Sequence, residues 1–421
     1  MKKIISLILI SAVIICLFNG CGRKSEKGSV YFLNFKPEQD SAWQSVAKEY
    51  TEETGVEVKI VTAAQGTYEQ TLLAEIDKEE APTLFQVNGP IGLETWQDYC
   101  LDLSNTKIYK ELVSDDFALK RNGKVYGIAY AYEAYGLIVN KKLLNKAGYK
   151  LDDISSFETL KEVAESITKR KGELGFSAFT SSGLASASSW RFSGHLANLP
   201  LYYEFSKNNI NGQPEKISGE YLDNFKRVWD LYINNSTITR SEITGDQNDA
   251  SAEFKAEKAV FYQNGTWEYD NVKSIGEDNI GFLPIYFDVK DSEQGLCAGT
   301  ENYWAVNADS SKADIDATLD FIYWMVSSEK GTTALAKDMG FVSPFKNAKE
   351  VNNKLSKIVS EYIEKGKKSV TWVFTVTPNV DVWRRDLTDT LAAYTVGTGD
   401  WNSVKDAFVK GWETQYKASK R

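Results

Sequence analysis

The feature that most constrains this chain is the alternation over residues 29–87. Residues 29–35 (SVYFLNF) form an apolar run of strand length. Residues 41–54 place Trp43, Val46, Ala47 and Tyr50 at helical spacing, and Gly55 stops that helix. Residues 56–61 (VEVKIV) alternate as a strand does, 67–78 read as a helix, and 82–87 (PTLFQV) as a third strand. Strand–helix–strand–helix–strand predicts a parallel, doubly wound sheet. Such sheets bind ligands at the carboxyl ends of their strands. The loops after Phe35 and Val87 are therefore candidate site segments, and they bring Lys36, Glu38, Gln86 and Asn88.

The segment before that alternation reads as an export signal. Lys2 and Lys3 precede an apolar run from Ile4 to Phe18, and Phe18-Asn19-Gly20-Cys21 closes it. The apolar stretch is shorter than the roughly 20 residues of a spanning helix. A Cys directly after a small residue resembles the lipobox of bacterial lipoproteins, although Phe18 stands where Leu is preferred and Leu17 sits one place earlier. That resemblance implies a signal peptide over 1–21, lipid on Cys21 and a polar tether over 22–28. The protein is then expected outside the cytoplasm, anchored to the cell membrane by lipid.

Some 400 residues follow, a length that fits two domains. Taking Lys2 and Lys3 from the 49 basic residues leaves 47 against 58 acidic, a net charge of −11. No basic run longer than a few residues appears, so nucleic acid is not an expected partner. Beyond Cys16 and Cys21 only Cys100 and Cys297 remain, read as separate buried thiols. The chain has one histidine, His195, and no CxxC pair. Zinc chemistry and histidine-dependent hydrolysis are poorly served by that inventory, and neither a metal nor a cofactor is expected. Aromatic residues are plentiful, with 11 Trp and 22 Tyr. Indole faces stack on the C–H faces of pyranose rings, although most aromatic residues in any protein are core.

Further elements follow the same pattern logic. Residues 155–169 read as an amphipathic helix with a capping box from Ser155 or Ser156 to Glu158. Residues 297–307 read as one extended run, 349–365 as a helix, and 370–411 as helical around Pro378.

Four stretches together resemble the extracellular solute-binding proteins of carbohydrate ABC importers, the cluster that includes maltose-binding protein. They are YTEETGVEVKIV (50–61), GKVYGIAYAYEAYGLIVNKKLLNKAG (123–148), FKAEKAVFYQNGTW (254–267) and YWAVNADSSKADIDATLDFIYWMVSSEKG (303–331). The resemblance implies an α/β fold of two lobes, each a doubly wound sheet flanked by helices and discontinuous in sequence. The first lobe would hold 29–131 and 305–347, the second 132–304 and 348–421. It implies no enzyme, but a monomer that takes a mono- or oligosaccharide into the interlobe cleft and presents it to the importer's membrane subunits. By position, Glu133 falls on a cleft carboxylate, Trp267 on a stacking platform with Asn264 before it as a ligand contact, and Trp383 on a second platform. Trp190 follows a serine-rich loop, and Glu301 and Asn302 lie beside the second crossing. The alternative is a secreted glycoside-active enzyme using a carboxylate pair, but no spacing singles out such a pair.

Overall fold

A computed structural model of the protein describes residues 27–64, 67–185, 188–245, 249–291 and 293–420. Cys21 and the predicted signal and most of the tether lie outside the described residues. Among the described residues the chain builds two six-stranded sheets.

The first sheet runs in the order β2-β1-β3-β11-β5-β4. Its strands are β1 (Ser29–Asn34), β2 (Glu57–Thr62), β3 (Leu84–Asn88), β4 (Ala118–Arg121), β5 (Lys124–Ala129) and β11 (Asn302–Val306). β1 pairs in parallel with β2 and β3, as the alternation predicts. β1 is buried from Val30 to Asn34, as a strand covered on both faces should be. The helix Asp40–Thr54 buries Trp43, Val46, Ala47 and Tyr50 against it. Gly55 ends that helix at φ 71°, and its N–H returns to the Thr51 carbonyl at 2.8 Å. The other half of the sheet departs from the parallel expectation. β11 runs antiparallel to both β3 and β5, because it arrives from the second lobe rather than through a local crossover.

The second sheet runs β12-β10-β6-β8-β7, with β9 also on β6. Its strands are β6 (Glu133–Asn140), β7 (Ser177–Phe179), β8 (Ala259–Gly265), β9 (Ile280–Leu283), β10 (Gln294–Gly299) and β12 (Lys368–Val370). β6 is buried at every position. Gly136 permits this, since a Cβ there would lie 2.3 Å from the Leu283 carbonyl oxygen.

The chain passes between the sheets from β5 to β6 and from β10 to β11. It returns to the second sheet through the segment after Phe345, where the helix Lys354–Glu364 packs on β9 and β10. The run 297–307 is therefore two strands in different sheets, broken at Thr300 and Glu301. β11 pairs with β3 along its whole length from Asn302, so the crossing precedes the 304/305 boundary expected from sequence. Cys100 and Cys297 are buried free thiols, Cys297 in the second sheet and Cys100 bridged to Asn307 beside the first.

Two local expectations change. The capping box of the helix Phe157–Lys169 pairs Ser156 with Thr159, not with Glu158. Thr159 occupies the third helical position, where a side chain can reach back to the cap N–H. The stretch 370–411 resolves into a 3-10 turn Val373–Val376 and a hairpin of helices Val380–Val396 and Trp401–Ser419. No helix among the described residues is long and apolar enough to cross a membrane.

Candidate functional site

The loop after β1 is shaped by Asn34. Its side-chain amide donates to the Lys36 carbonyl at 2.9 Å, and its side-chain oxygen accepts from the Lys36 N–H at 3.1 Å. That clamp directs the Lys36 ammonium to the crossing between β5 and β6. There it donates to both oxygens of Glu133, at 3.0 and 2.9 Å. Asn302, on the adjacent crossing, donates to Glu133 Oε2 at 2.7 Å. Glu38 lies 3.5 Å from the ammonium, and the Phe341 ring 5.7 Å away. Lys36 and Glu133 are 4% and 6% exposed.

Burial opposes the charge on Lys36, but the carboxylates of Glu133, Glu38 and Glu301 outweigh it and raise its pKa. Glu301 keeps some surface, yet it lies deep among protein atoms. Desolvation, reinforced by Glu133 and Asp381 and resisted by Lys36 and Arg384, pushes its carboxyl up to about 7. Lys36, Glu38, Glu133, Glu301 and Asn302 are thus one cluster where the two lobes meet.

A polar chain covers the first-lobe wall. The Tyr130 hydroxyl donates to Gln86 Oε1, and Gln86 Nε2 donates to Asn88 Oδ1 at 2.5 Å. Asn88 Nδ2 and Trp96 Nε1 then donate to the two oxygens of Glu69, at 3.0 and 2.9 Å. Burial raises the pKa of Glu69, and Asp381 from the second lobe adds to the rise. Gln86 and Asn88 sit at the carboxyl end of β3 as expected, but Gln86 is fully buried with both amide atoms paired, and Asn88 is the one that keeps surface.

The second-lobe wall is aromatic. His195 stacks on Tyr135 with centroids 4.0 Å apart and planes 3° off parallel. Trp190, Trp267, Phe374 and Trp372 surround it at 4.9, 5.4, 5.7 and 6.3 Å. Two glycines make this cage possible. A Cβ on Gly265 would lie 2.3 Å from the Trp267 ring, and one on Gly299 would lie 2.8 Å from the Trp372 ring. Both indoles therefore fold over bare backbone. Trp190 and Trp267 are partly exposed, while Tyr135, Trp372 and Phe374 are buried. Burial, then the Arg384 and Arg191 guanidinium groups, holds His195 well below the usual histidine range, so the ring is neutral.

A cavity of about 360 Å³ opens beside this wall. Glu133, Thr266 and Trp267 line it from the second lobe, and Gln39, Gly340 and Phe341 from the first. It is therefore an interlobe space continuous with two expected site residues.

Two expectations do not match the placement. Trp383 is 1% exposed and packs edge-on against Phe408 and Trp412, with Nε1 donating to the Phe408 carbonyl at 2.9 Å. It is a seam residue of the C-terminal helix hairpin. Its neighbour Arg384, about 100° further round the helix, carries charge to the cleft and feels Asp381 and Glu301. Asn264 is buried within β8. Its amide donates to the Tyr262 hydroxyl at 2.5 Å, and its oxygen accepts from the Gly265 N–H at 2.9 Å. Tyr135, His195, Trp372, Phe374 and Arg384 were not singled out by the sequence reading. Gly299, three residues before a crossing strand's Asn302, was the available signal that a large ring lies close to the backbone.

A profile described as bacterial extracellular solute-binding protein matches residues 45–367. The chain is similar to a maltotriose-binding protein of Pyrococcus abyssi (strain GE5 / Orsay). The two are 24% identical over 350 residues, 79% of this chain and 71% of that protein. Among solved structures it is similar to "SBP RafE in complex with raffinose", with a TM-score of 0.71 and 18% identity, covering 93% of this chain and 100% of that one. It is also similar to a sugar transporter from Bacillus licheniformis in complex with stachyose, with a TM-score of 0.66 and 19% identity, covering 92% and 100%. At these identities the structural likeness establishes the two-lobed fold.

Proposed function

Because the chain belongs to the bacterial extracellular solute-binding proteins, we propose that it captures a mono- or oligosaccharide in its interlobe cleft and delivers it to an ABC importer. The observation that carries this reading is the pairing of two walls. One offers aromatic faces, with Trp190 and Trp267 partly exposed. The other offers Asn88 and Glu69, braced by the buried Gln86, and the crossing cluster of Lys36, Glu133, Glu301 and Asn302 lies between them. A sugar ring needs both, an apolar face to cover its C–H bonds and polar groups around the rim for its hydroxyls. The relatives described with maltotriose, raffinose and stachyose support the same ligand class.

Closure of the lobes over the ligand would present the complex to the membrane subunits. The protein acts as a monomer, held at the membrane by lipid on Cys21. The ligand sites are Lys36, Glu38, Gln86, Asn88, Glu133, Trp190, Trp267, Glu301 and Asn302, while Asn264 and Trp383 are packing residues of the second lobe.

A thermal-shift screen against neutral oligosaccharides tests the reading. A ligand present at 100 times its dissociation constant adds about 2.7 kcal/mol of stability. A flat response across maltotriose, raffinose, stachyose and chitin oligosaccharides would overturn it.

A further inference from the structure

Buried polar atoms in folded proteins almost always have partners, so each exception calls for an explanation, a bound molecule among them. Several such atoms stand around this cleft, though others are scattered through both lobes. His195 Nδ1, Trp372 Nε1, Arg384 Nε and Asn302 Oδ1 are all enclosed without a hydrogen-bond partner among the described residues. The first three are neighbours. Trp372 and His195 lie 6.3 Å apart by ring centroid, and Arg384 Nε passes 3.5 Å from where a Cβ on Gly194 would stand. Asn302 belongs to the Lys36–Glu133 cluster at the crossing.

We propose that His195 is a specificity-determining residue of the cleft, hydrogen-bonding through Nδ1 to a hydroxyl of a neutral sugar ring seated against the aromatic cage. The inference rests on the sugar reading above and deepens it to one residue and one ligand class.

The chemistry of the orphan set points to that class. Arg384 Nε–H and Trp372 Nε1–H can only donate, and Asn302 Oδ1 can only accept. A neutral imidazole does either, according to its tautomer. Hydroxyl groups donate and accept, so a polyhydroxylated ligand can partner donors and acceptors alike. The charges around this space are mixed, with Lys36 and Arg384 among Glu133, Glu301 and Asp381, which suits a neutral ring. His195 is 8% exposed and depressed in pKa by burial and two guanidinium groups, so it offers a neutral ring rather than a cation. Trp190 and Trp267 are the cage rings with exposed surface, so the ligand enters on their side.

His195 is the single histidine of the chain, which makes the test direct. Its imidazole signals in the 15N-labelled protein need no assignment. Maltotriose, raffinose, stachyose and chitin oligosaccharides serve as probes, with calorimetry on the same sample to establish which bind. Saturation with a binding probe is expected to move the imidazole nitrogen resonances. His195→Phe keeps a ring in the cage but removes the nitrogens. It is expected to bind about fivefold to tenfold more weakly, the worth of one net hydrogen bond, with its melting temperature unchanged. A probe that binds calorimetrically while the imidazole signals stay fixed overturns the role of His195 and leaves the sugar reading standing. Wild-type affinity in His195→Phe does the same. If no probe binds by calorimetry, the sugar reading fails and this inference falls with it. If His195→Phe does not fold, the resonances of the unsubstituted protein still decide.

Discussion

Glu133→Leu strands the Lys36 ammonium. In the native protein that ammonium makes two hydrogen bonds to Glu133, at 2.9 and 3.0 Å, and is almost wholly buried. Removing one partner from a buried ion pair costs about 3–5 kcal/mol, chiefly because the other charge is left without compensation. Glu38 remains 3.5 Å away and is itself part-exposed, which places the expected loss at the low end, about 3 kcal/mol. With an m-value of about 3 kcal/mol per molar urea, the midpoint falls by about 1 M. The second half of the test is Lys36→Met combined with Glu133→Leu. Replacing a whole buried pair by apolar groups of similar volume is often close to neutral, so the double variant should recover most of the loss. Urea denaturation of wild type, both single variants and the double variant gives the coupling energy directly. If the two single losses simply add, the pair is not coupled, and the derivation of the crossing cluster is wrong.

Three further outcomes follow from particular residues. Trp383→Ala should cost about 3–5 kcal/mol in a denaturation curve, because the ring is a core residue, while sugar affinity of the folded fraction measured by titration stays unchanged. Glu301 titrates near 7 when folded, above its unfolded value, so it stabilises the fold when protonated. That contribution is full below about pH 4.3 and is lost as pH rises through about 7. Glu301→Gln should flatten the melting-temperature profile across that window, and an identical slope in variant and wild type would contradict the assignment. Cys21→Ala should leave the protein unprocessed or released into the medium, and membrane fractionation with normal retention and processing would contradict lipidation.

The first half of the fold was legible because its information is local. The strand-length runs and the four buried positions of the helix Asp40–Thr54 lie within one short window. The antiparallel half was not legible, since β11 pairs with β3 across more than 200 residues of intervening chain and no periodicity records that. The same division runs through the site. Lys36, Gln86 and Asn88 follow from a rule about strand ends, and Glu133 from a resemblance. That Lys36 and Glu133 form one ion pair depends on where two crossings meet. Trp383 and Arg384 show the limit most plainly. Adjacent residues on a helix face different surroundings, and the sequence could not say which face the partner helix Trp401–Ser419 covers. As a sequence feature His195 is only the chain's single histidine. Only its cage and its unpaired nitrogen distinguish it.

The central claim is that the aromatic wall between the lobes stacks on sugar. The most direct measurement is calorimetric titration of wild type and Trp267→Ala with whichever neutral oligosaccharide the thermal-shift screen selects, alongside a melting curve for each. Trp267 is partly exposed, so its removal should leave the fold intact. Loss of an aromatic anchor should cost about 2 kcal/mol or more of binding, roughly 30-fold in affinity. Unchanged affinity in a folded Trp267→Ala protein would contradict the account.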